Sequence, residues 1–403
     1  MNMIELNKKF FHGLYSEVFS VSNNRYHACI TTTDEEQKFI KDTKEAQCYQ
    51  SLNLSTALLK LTDGRTFLAI KGSPHFEELP PGLELQLLDD HSGVITILGG
   101  IGFLSFNNLD IMQDKNWSII DNSEPGNKDD VTYIEQAEIL NIVDDFSVYE
   151  VIQSPFEFKK ETVDRFLLLF LILFNIGDTD KLSVKNELLS IVTTLDKFPF
   201  HLLHSSYISQ TWQYSYIDLY RCIELLYPIP RMIKLRKALS KRGESIDFPA
   251  IDFFKDVNDT LGWRENEQNG LENIVLDANT PSINFIFTML EKVKAVNERD
   301  TSIINELKKS EIMRDSNFKN ILEQIRDLLT SIPPAQMPFI TDYKTKKSAK
   351  LIANFLYSAR NELVHFRTHE NIHSETQIKA AFKAMVILLN DAYHKHELEA
   401  YPL

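Results

Sequence analysis

Cysteine is scarce and scattered. The three in the chain, Cys29, Cys48 and Cys222, form no Cys-x-x-Cys pair and are odd in number. That argues against a cysteine zinc site and suits a reducing, cytoplasmic setting. Long apolar runs are also missing. The longest, Phe166 to Phe174 (FLLLFLILF), falls far short of the roughly 20 residues that cross a bilayer. A buried helix is expected there, and no membrane partner. Met1-Asn2-Met3-Ile4-Glu5 has no basic segment leading into an apolar one, so no signal peptide is expected. There is no internal repeat and no low-complexity tract.

Basic charge is short as well: 43 Lys and Arg stand against 57 Asp and Glu, a formal charge of −14. The deficit is local. Residues 205–403 hold 26 of each sign, so the whole excess falls on residues 1–204. An acidic front half is a poor nucleic-acid surface, whereas a neutral rear half has room for a local basic patch. The 403 residues, 43% apolar and 25% charged, suffice for two or three globular domains without disulfide or metal staples.

Residues 1–150 read as strands. Ser55 to Leu61 and Arg65 to Ile70 flank the turn signal Asp63-Gly64, and Leu83 to Leu88, Val94 to Leu98 and Val131 to Ala137 extend the pattern. Pro80-Pro81-Gly82, Gly99-Gly100 and Pro125-Gly126 punctuate it. This spacing predicts a sandwich or barrel. Gly99-Gly100-x-Gly102 is expected to be a turn and not a dinucleotide loop, because no strand-to-helix context follows it.

From about Ser154 the period becomes helical, and residues 151–204 read as a helical connector. Within it, Lys159 to Ile176 and Leu182 to Leu195 are expected as helices and Phe198-Pro199-Phe200 as a link. In residues 205–403 helices are expected at Trp212 to Leu226, Ser282 to Arg299, Ile303 to Leu329, Asp342 to His365 and Thr376 to His394. Pro228, Pro230, Gly243, Pro333-Pro334 and Pro338 act as breaks. The fold class expected is α+β: a β-rich front followed by an all-α rear.

Chemistry concentrates at Tyr357-Ser358-Ala359-Arg360-Asn361-Glu362-Leu363-Val364-His365-Phe366-Arg367. Asn361 and His365 are four apart and share one helical face, and the long Arg360 stem can lean towards it. A guanidinium, an amide and an imidazole converging there suit a phosphate. Histidine can remove or deliver a proton near neutral pH, and arginine can stabilise charge on phosphorus.

The segment resembles the signature of the HEPN ribonuclease superfamily, in which an Arg followed by a polar residue precedes a His by a short interval. Trp212-x-Tyr214 and Tyr220-Arg221-Cys222-Ile223-Glu224-Leu225-Leu226 resemble the opening helix of the Apea-like HEPN branch. The resemblance covers the rear half of the chain and does not reach residues 1–150. It implies an all-α HEPN-like bundle and a metal-independent endoribonuclease with Arg360, Asn361 and His365 as catalytic residues. Glu224 would brace the Arg–His pair, no cofactor would be needed, and a homodimer through the helical domain would complete the site. It further implies a toxin or antiviral, anti-phage defence role, with RNA (tRNA among the options) as substrate. A phage-derived or other trigger would act at the N-terminal sensing domain. Members that have lost activity serve as scaffolds binding nucleotide or protein, so that alternative stays open.

Plainer roles exist for each residue. Arg360 could pair with Glu362 or Glu224, His365 could cap its helix, and Glu224 could be an ordinary helix charge. Arg231, Lys234, Arg236, Lys237, Lys241 and Arg242 form a basic run without an acid, which fits either an RNA backbone or a solvated helix face. His365, His369 and His373 recur every four residues, but Thr368-His369-Glu370-Asn371 reads as a turn, so no metal site is expected. His394 and His396 are expected to be exposed.

Overall fold

A computed structural model of the chain describes residues 2–18, 27–72, 76, 78–88, 91–106, 131–229, 267–296, 337–365 and 373–400. The chain divides into two compact units, one of Met1–Gly177 with Val192–Thr194, the other of Asp178–Ile191 with Leu195–Leu403. It is mixed α+β, with an antiparallel sheet in the N-terminal half and helices in the C-terminal half.

The first unit runs α1 (Met3–Val18), β1 (His27–Ile30), α2 (Asp34–Asp42), β2 (Thr43–Ser51), β3 (Leu54–Leu61), β4 (Thr66–Lys71) and β5 (Glu84–Leu88). It continues with α3 (Ser92–Gly100), β6 (Val131–Ile134), α4 (Gln136–Leu140), β7 (Phe146–Gln153) and α5 (Val163–Leu173). Strands pair in the order β2-β3-β4-β7-β5, every pair antiparallel, while β1 and β6 form a separate parallel pair. The expected sandwich or barrel is therefore corrected. Among the described residues there is one open five-stranded sheet with helices packed around it, and β2 and β5 are its edges.

The Asp63-Gly64 turn forms as expected. Gly64 sits at φ +93°, and Asp63 accepts hydrogen bonds from the Arg65 backbone at 3.0 Å and its guanidinium at 2.8 Å. β3 is buried at most positions. One face joins the core built from Leu6, Phe10, Ile30, Ile40, Leu59, Phe67 and Val94. α5 packs against β2 and β3, with the Phe166 ring edge-on to Tyr49 at 5.3 Å.

The strand reading of Val94 to Leu98 is overturned, because these residues lie within α3. Every residue of α3 is buried, so it has no polar stripe, and periodicity cannot separate a short buried helix from a buried strand. Its last turn holds Gly99 and Gly100. A Cβ there would come within 2.3 Å of the Phe10 ring and 2.5 Å of Leu6, so these glycines permit α1 to lie against α3. The expected turn follows at Gly102, φ +76°. α1 and α2 were also missed within a segment read as strands. α2 carries a legible sign: in Thr33-x-x-Glu36 the Thr33 hydroxyl accepts from Glu36 N at 3.3 Å and Glu36 accepts from Thr33 N at 2.6 Å, a capping box.

The helix read as Lys159 to Ile176 is a short 3-10 turn, Lys160–Thr162, followed by α5. Asn175 at φ +53° and the Ile176 N–H to Leu171 carbonyl bond end it.

The second unit contains α6 (Thr179–Leu182), most of α7 (Lys185–Thr194), α8 (Phe200–Ile208), α9 (Trp212–Glu224), α10 (Glu267–Asp277), α11 (Thr280–Lys292), α12 (Met337–His365) and α13 (Glu375–Ala400). The Phe198-Pro199-Phe200 link is shorter than expected, since α8 starts at Phe200. The helix read over Ile303 to Leu329 lies outside the described residues. α9 packs on α8, α13, α10 and α12, and α12 packs on α10 and α11. Tyr216 Oη donates to the Leu356 carbonyl at 2.7 Å and Tyr393 Oη to the Cys222 carbonyl at 2.8 Å, tying α9 to α12 and to α13. His396, expected to be exposed, is 2% exposed and bonds Asp277 through Nε2 at 3.1 Å. No helix among the described residues is long and apolar enough to cross a membrane.

One buried cation holds the α8 end. Lys181 Nζ donates to the carbonyls of Ser206, Tyr207 and Ser209 at 3.0, 2.9 and 2.7 Å, and lies over the rings of Trp212 and Phe382. These carbonyls are the groups a helix C-terminus leaves without partners. Burial pulls the ammonium down to about 8, so it is still charged at neutral pH. Lys181→Met is expected to cost about 2–4 kcal/mol, because three buried acceptors lose their donor while the burial cost of one charge is relieved. The urea midpoint should fall at constant slope. An unchanged midpoint would show that the cap contributes nothing net.

Candidate functional site

Three helices of the second unit meet around Arg360, two of them carrying expected residues. α9 presents Tyr220 and Glu224 near its C-terminal end, α10 begins at Glu267, and α12 carries Arg360 and Asn361 close to its own end. Apolar faces set this arrangement: Leu219 and Ile223 on α9, Leu271 and Ile274 on α10, and Ile352, Leu356 and Ala359 on α12 are all essentially inaccessible. Burying a side chain of the Leu or Ile class contributes about 1.5–3 kcal/mol, so packing fixes the helices and the polar residues at their rim follow.

Arg360 is the centre. Its side chain is 19% exposed. Nη2 donates to Glu224 Oε1 at 3.4 Å, and Nη1 lies 3.5 Å from Glu267 Oε2 and 3.1 Å from Asn361 Oδ1. The guanidinium carbon stands 5.7 Å from the centre of the Tyr220 ring, a cation–π distance. Tyr227 Oη donates to Tyr220 Oη at 3.0 Å behind that ring. Both carboxylate contacts are longer than the about 2.7–2.9 Å of a tight charge-assisted bond, so the guanidinium is shared between two acids and docked on neither.

Burial raises the Glu224 carboxyl above its usual range; Arg360 pulls it down, and Glu267 pushes it up again. Burial also pushes the Tyr220 phenol up. The group is therefore a cation with two acids, one of them reluctant to ionise, beside an aromatic face.

Of the expected site residues, Arg360, Asn361 and Glu224 are brought into contact. For His365 the backbone alone is described. It ends α12, four residues beyond Asn361. Arg231, Lys234, Arg236, Lys237, Lys241 and Arg242 lie outside the described residues, as does His369. The pairing of Arg360 is with Glu224, and Glu362 has a different partner. Its carboxylate accepts from the His373 backbone N–H at 3.3 Å and stands 3.7 Å from His373 Nε2, which also lies 3.3 Å from Ser358 Oγ. His373 sits in the turn before α13. Burial lowers its imidazole.

No family model, no curated protein and no solved structure matches the chain.

Sequence reasoning missed Glu267 and Tyr220. Tyr220 is four residues before Glu224, so its place beside an Arg that meets Glu224 was available from helical spacing. Glu267 had no such signal, since nothing local ties the start of α10 to α12.

Proposed function

We propose that the chain is a metal-independent endoribonuclease of the HEPN type, acting as a toxin or antiviral defence effector regulated by its N-terminal unit. The observation that carries this reading is the contact between Arg360 and Glu224, 136 residues apart in the chain. The residue resemblance calls for Glu224 as the brace of the motif arginine, and this contact supports that role. In this reading the second unit is a HEPN-like bundle. His365 takes the proton from a ribose 2′-hydroxyl, whose oxygen attacks phosphorus, the bond to the 5′-oxygen breaks, and a protonated imidazole returns a proton to that oxygen. Arg360 stabilises the charge that builds on the phosphoryl oxygens, Asn361 holds the guanidinium, and Glu224 sets its direction. A second protomer supplies the other imidazole across a two-fold axis.

A second reading is a catalytically inactive HEPN scaffold that binds nucleotide or a protein partner. It is favoured by one observation: two carboxylates already occupy Arg360 in the isolated chain. The two are separated by incubating the purified protein with total RNA, with and without chelator, while its mass is followed by sedimentation. The nuclease reading expects cleavage that survives chelation, cyclic-phosphate and 5′-hydroxyl ends, and activity that rises with dimer. Nucleotide or RNA binding without any cleavage would favour the scaffold.

A further inference from the structure

We infer that Glu267 occupies the position a phosphate would take on the Arg360 guanidinium, and that it is an internal competitor the phosphate must displace. The inference rests on the phosphate-site reading above and names what controls entry to that site.

Arginine binds phosphate through two parallel N–H donors. On Arg360 both terminal nitrogens face carboxylates, Nη2 towards Glu224 and Nη1 towards Glu267. Glu267 reaches Nη1 with one carboxylate oxygen, as a phosphate oxygen would, so the competition for that nitrogen is direct and not a remote effect. The Glu267 carboxylate also sets a negative charge beside the guanidinium, which opposes the approach of an anion.

The two acids are not alike. Glu224 is the less exposed, at 32% against 42%. It stands at the end of a helix whose Tyr216, Tyr220 and Ile223 are buried, and its carboxylate accepts a hydrogen bond from Nη2. Glu267 begins α10 with its side chain more open to water. Partly exposed ion pairs are weak and easily exchanged, and the Glu267 contact is an ion pair at 3.5 Å, whereas the Glu224 contact is also a hydrogen bond. Glu224 is thus the fixed brace and Glu267 the removable occupant. Asn361, also on Nη1, is neutral and would hold that nitrogen in place while the acid leaves.

The ligand class is a phosphate group, carried either by an RNA strand or by a free nucleotide. The experiment measures binding of a fluorescent 2′-O-methyl oligoribonucleotide, which lacks the attacking hydroxyl, and separately of a nucleoside monophosphate. The full chain is used at fixed moderate salt. The variants are Glu267→Gln, Arg360→Gln, the double variant, and Glu272→Gln, which removes an equal charge elsewhere on α10. Glu267→Gln is expected to bind about tenfold tighter, Glu272→Gln as wild type, and Arg360→Gln to cancel the gain. Gain with the oligonucleotide alone identifies a strand as the ligand; gain with the monophosphate as well identifies the phosphate group itself. Oligonucleotide binding that weakens in Arg360→Gln but is unchanged in Glu267→Gln would overturn the inference while leaving the site reading in place. An equal gain in Glu272→Gln, or one that persists in the double variant, would also overturn it. Binding that ignores Arg360 in every background would remove the site reading itself.

Discussion

Replacing Arg360 with glutamine, or His365 with alanine, is expected to reduce RNA cleavage by at least about a hundredfold while the protein stays folded. The expected size follows from roles. A positioned proton-transfer group contributes about 10²–10⁴ in rate, and one preorganised donor to a developing oxyanion about 10²–10³. The two variants should differ in what else they change. Arg360→Gln retains an amide that Glu224 can accept from but removes the charge that holds the Glu224 carboxyl down. Its carboxyl should rise further, and stability should fall by about 1–2 kcal/mol. His365 lies at the end of α12, so His365→Ala should leave the unfolding midpoint close to wild type. Arg360→Lys should recover little, because a point charge cannot meet two acceptors in one plane. Cleavage assays on variants whose far-ultraviolet dichroism matches wild type give the test. Undiminished cutting by folded His365→Ala would remove the motif from the mechanism.

What could be read from the residues divides along a physical line. The helices of the second unit were legible where an amphipathic stripe met a break, as at Trp212 to Leu226 before Pro228 and Pro230, or at Thr376 to His394. The Asp63-Gly64 hairpin was legible because a turn has few chemical solutions. α3 was not, because a helix buried all round has no polar face to mark its period. α1 was hidden for a related reason: its contact with α3 depends on the absence of side chains at Gly99 and Gly100, and those glycines read locally as a turn. At the site, Arg360 and Asn361 came from the pattern of one helix, and Glu224 from the resemblance of another helix to a family. Glu267 acts only through space, at a position fixed by how α10 packs on α12. A fold can hide such a residue from any local reading, and this one bears directly on whether the arginine is free. Lys181 is similar. A lysine in a short polar helix reads as solvated, and only packing shows it buried against three carbonyls.

Above about pH 10 the helical unit is expected to lose stability steeply. Tyr207, Tyr216, Tyr220 and Tyr227 are all buried in it, and burial raises each phenol above its usual range. In the unfolded chain a phenol ionises near pH ~10. The folded values are raised, so their contribution is complete below about pH 10 and is lost as pH climbs, since the unfolded chain releases protons that the folded one keeps. Each tyrosine then contributes a slope of about −1.4 kcal/mol per pH unit, and the four together roughly −5. Two other groups act earlier and oppose each other. The Cys222 thiol is raised by burial, so it adds the same negative slope from about pH 8.5. Lys181 is drawn down to about 8; it loses its proton in the folded state first and adds a positive slope of like size up to about pH 10.4. Stability should therefore change little between pH 7 and about 10 and then collapse within one or two units, given a total of about 5–15 kcal/mol for a typical domain. Urea midpoints across this range, followed together with phenolate absorbance, provide the measurement. Of the 14 tyrosines in the chain, the exposed ones should ionise gradually, and these four should appear as a late step coincident with loss of helical dichroism. A single gradual phenolate curve centred near pH ~10, with helicity retained, would mean that these rings are open to water and that the packing of α9 against α12 is looser than described.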